Sequence, residues 1–282
     1  MQEALKPFLR DFKRCLHESR FRNDIVSVVL LGSGARGDWI RGESDIDFIV
    51  VVKDRRMKRP VAAFLWKLVK KLDRKHKLRL NLSDKTYNSI LLNAIMKVEA
   101  FFLQRVPLYV LAEEEFDLVN RKIREPRIWF IATVIGSLPQ FLLNLKHTGK
   151  TMYGKDLLKD IRVSFGLLDE LKIILIPYYY LGLAALLLPF SPKQAAQHAI
   201  KACLLETDDE LLLLHRKLGS YRRDEQLYER LFRGSPTIQH IRKCLRYRRM
   251  LSRKIIGYEE ATEFVLDSAR FVARSRIMVC RP

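Results

Sequence analysis

Paired cysteines are missing from this sequence. Its four, Cys15, Cys203, Cys244 and Cys280, fall singly along 282 residues. That excludes a disulfide-stapled scaffold and reads as reduced, structural thiols in a cytoplasmic protein. The six histidines are equally scattered, and no ligand spacing marks a zinc site. No internal repeat, low-complexity linker or leader stands out. The first residues instead place Leu5, Phe8, Leu9, Phe12 and Leu16 at helical spacing among charges. Acids are scarce: 32 Asp and Glu face 52 Lys and Arg, for a net charge of +20. Such an excess favours a polyanionic partner, either nucleic acid or a nucleoside triphosphate, with a merely solvated basic surface as the alternative. Charge is absent altogether from Ile173 to Phe190, eighteen residues that reach the lower length of a membrane span. Pro177, Gly182 and three tyrosines interrupt that run, so it is expected to form a buried central helix pair and not a membrane contact.

What is present is concentrated between Val28 and Val52. A hydrophobic run ends in Gly32-Ser33, and twelve residues after Ser33 come Asp45 and Asp47, which open a second hydrophobic run. Alternate residues of a strand share a face, so the two carboxylates project together while Ile46 turns into the core. Adjacent carboxylates repel unless a cation lies between them, and hard oxygen ligands suit Mg²⁺ carried by a triphosphate. The Gly-Ser turn offers backbone N–H groups and a hydroxyl to phosphate oxygens. Gly32 to Gly37 also fits the G-x-G-x-x-G dinucleotide fingerprint, with Asp54 about twenty residues on. That fingerprint must open a crossover helix between parallel strands, and Asp38 to Ser44 is too short for one. The second strand is therefore expected to be antiparallel to the first.

Strand, Gly-Ser, short turn and Asp-Ile-Asp resemble the signature of the DNA polymerase beta-type nucleotidyltransferase superfamily. The turn, Ala35-Arg36-Gly37-x-Trp39-x-x-Gly42, resembles that of archaeal CCA-adding enzymes. The resemblance implies that two metal ions held by three carboxylates clamp a triphosphate, that an acceptor hydroxyl attacks the α-phosphorus, and that pyrophosphate leaves. It implies Asp45 and Asp47 as catalytic metal ligands, Gly32 and Ser33 as the triphosphate cradle, and Arg36 at a phosphate. The third carboxylate belongs on a later strand, Lys77–Asp84, where the aligned position holds Asn81. Asp84 is the nearest acid and the candidate for this role. It lies an odd number of residues away and needs a bulge to face the site. Two Mg²⁺ ions are expected if that carboxylate exists. Without it, a nucleotide-binding but inactive site is the alternative.

The pattern around the motif predicts an α+β architecture: a small mixed-sheet nucleotidyltransferase domain over 1–116 and an α-helical domain over 117–282. Predicted helices in the second part cover 127–146, 155–175, 178–188, 192–205, 208–217, 222–232, 237–255 and 258–275. Lys146 to Leu157 resembles a segment joining two helices in aminoglycoside adenylyltransferases, and as a plain sequence it reads as a glycine-bearing turn. Arg242, Arg246, Arg249 and Arg253 recur at helical spacing. This stripe is either a solvated face or a wall against triphosphate or RNA, with Arg246 and Arg249 as nucleotide contacts and Tyr247 and Tyr258 available for base stacking. The acceptor is a small molecule, an RNA 3′ end or a protein side chain.

Overall fold

The computed structural model describes residue 3, residues 5–42, 44–80, 108–117, 122–130, 133, 136–215, 226, 229–230, 236–251 and 256–279. Asn81, Asp84 and Arg253, three of the positions singled out above, lie outside them. The described elements are α1 (Leu5–Glu18), β1 (Ile25–Leu31), α2 (Gly32–Arg36), β2 (Asp47–Val52), α3 (Lys58–His76), β3 (Leu108–Ala112), β4 (Phe116–Asp117), β5 (Lys122–Ile123), α4 (Pro126–Phe130), α5 (Leu138–Thr148), β6 (Lys150–Gly154), α6 (Leu167–Leu187), α7 (Pro192–His215), α8 (Pro236–Met250) and α9 (Tyr258–Val279). The chain divides into two compact units, one ending at Ser164 and the other beginning, in its main part, at Phe165. The architecture is α+β.

The first unit is built on a four-stranded mixed sheet in the order β3-β2-β1-β6. β1 pairs with β2 antiparallel, as the short connection demanded, and β2 pairs with β3 in parallel. A parallel neighbour needs a crossover, and α3 lies within this one. β1 and β2 read as nearly unbroken hydrophobic runs because both faces of the sheet are covered. Val28, Leu30, Phe48, Val50 and Val52 pack with α1 and α3, whereas Val29, Ile49, Val51 and Leu111 pack with α4 and α5. The amphipathic stripe of α1 is wholly buried, and the Phe12 ring stacks on Phe48 at 4.6 Å between centroids.

β6 departs from the sequence reading. Lys150 to Gly154 is an edge strand against β1, not a turn between two helices. Gly154 permits this pairing: its φ is +73°, and a Cβ there would lie 2.1 Å from the Val26 carbonyl oxygen. The preceding glycine turn looked like a helix connection because a five-residue edge strand with polar ends carries little hydrophobic alternation.

In the second unit α6 packs against α7 and α9, and α7 packs against α8 and α9. Two expected boundaries vanish. The helix α6 runs straight through Pro177, and residues 192–205 and 208–215 form one helix. An interior proline removes one hydrogen bond but does not forbid the helix when both flanks are apolar and packed. Residues 155–165, expected to be helical, hold only a single 3-10 turn at Leu157–Asp160. The charge-free run also differs from the buried helix pair expected of it. α6 is long and apolar enough to cross a membrane by length and composition, yet it buries only Ile173, Pro177, Ala184 and Leu187. Leu168, Leu171, Leu175 and Leu186 are at least half exposed.

Asp11 fastens α1 to the end of α3. Its carboxylate accepts from Lys75 Nζ and lies 3.0 Å from His76 Nε2 and 3.3 Å from Arg14 Nη2. The Lys75 hydrogen bond leads in holding this carboxyl down at about 2, against a burial effect in the other direction. A depressed carboxylate contributes its stability above its ordinary value of 3.8 and loses it as the pH falls through about 2. Asp11→Asn should therefore lower the urea midpoint at neutral pH. The gap to the wild type should shrink between pH 3.8 and about 2 and close below that. A gap that persists unchanged in acid would show that Asp11 acts through packing alone.

Candidate active site

The site is assembled where β1 ends and β2 begins. Leu31 and Asp47 are register partners in the antiparallel pair, so the residue after β1, Gly32, lies directly beside the first residue of β2. A Cβ on Gly32 would sit 3.0 Å from Asp47 Oδ2, and Gly32 has φ +58°. The missing side chain is thus the space into which a carboxylate oxygen projects. Both the close approach and the left-handed backbone call for glycine.

From Gly32 the chain turns into α2, a single short helix whose first N–H groups lack intrahelical partners. Ser33 is its second residue and is partly exposed. The Ser33 carbonyl accepts from both the Gly37 and Asp38 N–H groups, at 3.0 and 2.9 Å, which closes the turn. The side chain of Arg36 is only 6% exposed and pairs with Asp38 at 3.8 Å. Oxygen ligands and N–H donors of this kind suit a metal-bound triphosphate.

Asp45 and Asp47 are both partly exposed, and Ile46 between them is fully buried. The alternation inferred from sequence is therefore present, although Asp45 lies just ahead of the ladder. What holds Asp45 in place was not legible beforehand. The Ser44 N–H donates to the Ile40 carbonyl at 2.8 Å, and the Ile40 N–H donates to Ser44 Oγ at 3.0 Å. Trp39 is fully buried, and Arg41 Nε donates to the Lys77 carbonyl at 2.8 Å. A tryptophan in an otherwise polar turn was the one sequence signal for this anchor. Two carboxylates on neighbouring positions, one occupying the space beside Gly32, fit a divalent cation better than they fit each other.

The remaining candidates lie in the second unit. Arg246 lines a cavity of about 540 Å³ with Gln239, His240, Arg242 and Lys243. Arg249 Nε donates to the Leu245 carbonyl at 3.2 Å. Part of the basic stripe is already paired: Arg242 makes two 2.9 Å bonds to Glu229, and Lys243 reaches Asp267 at 2.9 Å. Tyr247 stacks on Phe264 at 4.5 Å and donates its hydroxyl to Glu260. Burial, reinforced by Glu260, pushes its phenol up to about 12. Its ring is thus engaged within the helix pair, whereas Tyr258 is 55% exposed.

Residues 12–130, which contain this whole motif, match the family model of the nucleotidyltransferase domain. Over these residues the chain is similar to the nucleotidyltransferase domain. The fold of the full chain is similar to that of spectinomycin adenyltransferase AAD(9) from Enterococcus faecialis, solved with ATP and spectinomycin. The likeness covers 96% of this chain and 99% of that one, at 13% identity and a TM-score of 0.50. No curated protein matches the chain by sequence. The matched residues carry the Gly-Ser turn and the paired aspartates.

The cradle at Gly32 yields a direct prediction. Gly32→Ala places a methyl against Asp47 Oδ2 and forces a left-handed alanine, at a cost of about 1–2 kcal/mol. Its melting temperature should fall modestly, and metal-dependent nucleotide binding should fall by more than the stability loss accounts for. Unchanged nucleotide binding in a folded Gly32→Ala protein would separate this turn from the site.

Proposed function

We propose that this nucleotidyltransferase moves a nucleoside monophosphate from a triphosphate to the hydroxyl of a small molecule, releasing pyrophosphate. The observation that carries the reading is the placement of Asp47 against Gly32, with Asp45 held beside it. Asp45 and Asp47 would hold Mg²⁺, which when bound neutralises phosphate charge and favours departure of pyrophosphate. Gly32 and Ser33 would orient the triphosphate, leaving the α-phosphorus open to the acceptor oxygen. Arg36, Arg246 and Arg249 enter the proposal as phosphate contacts. Asp84 is the candidate for a third carboxylate, and with it a second metal ion.

The small-molecule acceptor is favoured by the fold likeness over the whole chain to an adenyltransferase solved with ATP and spectinomycin. The pairing of Arg242 with Glu229 and of the neighbouring Lys243 with Asp267 weakens the case for an RNA backbone. A second reading, a nucleotide-binding protein without turnover, rests on Asn81 standing where the third carboxylate is expected.

Incubation with each labelled triphosphate and Mg²⁺, across a panel of hydroxyl-bearing small molecules and bulk RNA, tests the proposal. Pyrophosphate release should depend on one acceptor class. Asp45→Ala and Asp47→Ala should each lower it by roughly a thousandfold or more, because each removes a metal ligand contributing several kcal/mol. Near-normal turnover in either variant would refute the mechanism. Triphosphate binding without release for any acceptor would favour the non-catalytic reading.

The arginines separate the acceptors further. With a small acceptor, Arg246→Ala and Arg249→Ala should weaken triphosphate binding in the absence of RNA. If RNA is the partner, its affinity should instead fall with salt by roughly 0.7 to 0.9 log units per log unit for each phosphate contact, and these variants should flatten that slope.

A further inference from the structure

The scattered cysteines do not stay scattered in the fold. Cys203 on α7 meets His240 and Cys244 on α8, and the two sulfurs and one ring nitrogen all lie within 4.8 Å of one another. His240 and Cys244 are four residues apart on one helix and therefore share a face. Cys203 is 37 residues from the nearer of them, which is why no ligand spacing marked the group in the sequence. Both cysteines are fully buried, and His240 is partly exposed at the wall of the 540 Å³ cavity. A path from solvent therefore reaches the histidine without unfolding the helices.

The separation of Cys203 and His240 matches a metal-site edge as well as a thiol hydrogen bond. Zinc bound at about 2.3 Å from sulfur and 2.0–2.1 Å from nitrogen sets tetrahedral S···N edges of about 3.5 Å. Cys203 Sγ and His240 Nε2 stand 3.5 Å apart. The His240 ring is already fixed, packed against Phe264 and Phe271 at 5.8 and 5.1 Å. Ser268 on α9 supplies a fourth heteroatom: its Oγ lies 3.3 Å from His240 Nε2 and gives its proton to the Phe264 carbonyl at 2.8 Å. That leaves oxygen lone pairs facing the group.

We infer that Cys203, Cys244 and His240 Nε2 form a structural zinc site, with Ser268 Oγ or a water molecule completing the tetrahedron. Two thiolates and an imidazole are the donor set that selects zinc over Mg²⁺, so this site is chemically separate from the aspartate pair. On binding, each thiol releases its proton to solvent and both sulfurs bond the metal; the histidine binds in its neutral form. The metal would tie α7 to α8 directly and α9 through Ser268. The inference does not depend on the reading of the nucleotidyltransferase site.

The test is metal analysis of the full chain, purified under reducing conditions and exposed to stoichiometric zinc. The wild type should retain one zinc per chain. Cobalt should give the thiolate charge-transfer band and the tetrahedral visible bands. Cys203→Ala and His240→Gln should lose the bound zinc, Ser268→Ala should weaken it by about 10–100-fold, and Cys15→Ala and Asp47→Ala should keep it. If Cys203→Ala fails to fold, the wild-type cobalt spectrum still decides the matter. A wild type that binds neither metal would overturn the inference, as would zinc retained equally by the Cys203 and His240 variants, or an intact Cys203–Cys244 disulfide that excludes metal.

Discussion

The antiparallel register of β1 against β2 is the constraint on which the candidate site depends. By pairing Leu31 with Asp47 it brings a carboxylate to the very turn whose backbone would receive a triphosphate. Slipping the pair by one residue would turn Asp47 inward and Ile46 outward, burying a charge and exposing an apolar side chain that is now fully covered. Hydrophobic packing on both sides of the sheet makes that slip costly. The same burial that stabilises the unit therefore fixes the position of the chemistry.

The rest of the unit serves this register. α1 and α3 cover one face of the sheet and α4 and α5 the other, so β1 and β2 have no solvent-facing middle. The connection between the strands is held by the buried Trp39, the Ile40–Ser44 turn and the Arg41 contact with Lys77. Asp45 follows directly on the last residue of that turn. Its placement depends on these residues, and their loss would loosen the site without altering its two carboxylates.

Much of this was legible in the sequence, for physical reasons that can be named. The β1 and β2 runs, the amphipathic α1, the antiparallel return and the exposure of Asp45 and Asp47 around Ile46 all follow from local periodicity and a short connection. β6 was missed because a short edge strand has weak alternation and owes its place to one left-handed glycine. α6 was split in the reading because proline is a strong local signal, and tertiary packing overrode it. The Cys203–His240–Cys244 group was invisible because Cys203 is distant in sequence from the other two and only the packing of α7 on α8 unites them. Asn81 and Asp84 lie outside the described residues.

The central claim is that Asp45 and Asp47 bind a divalent cation together with nucleotide at the Gly32 turn. Mn²⁺ binding, followed by electron paramagnetic resonance with a non-hydrolysable ATP analogue, tests it most directly. The account predicts that the wild type takes up Mn²⁺ in the presence of the analogue and that Asp47→Asn, which keeps the shape of the side chain and removes its charge, does not. Equal Mn²⁺ uptake by the two proteins would contradict it.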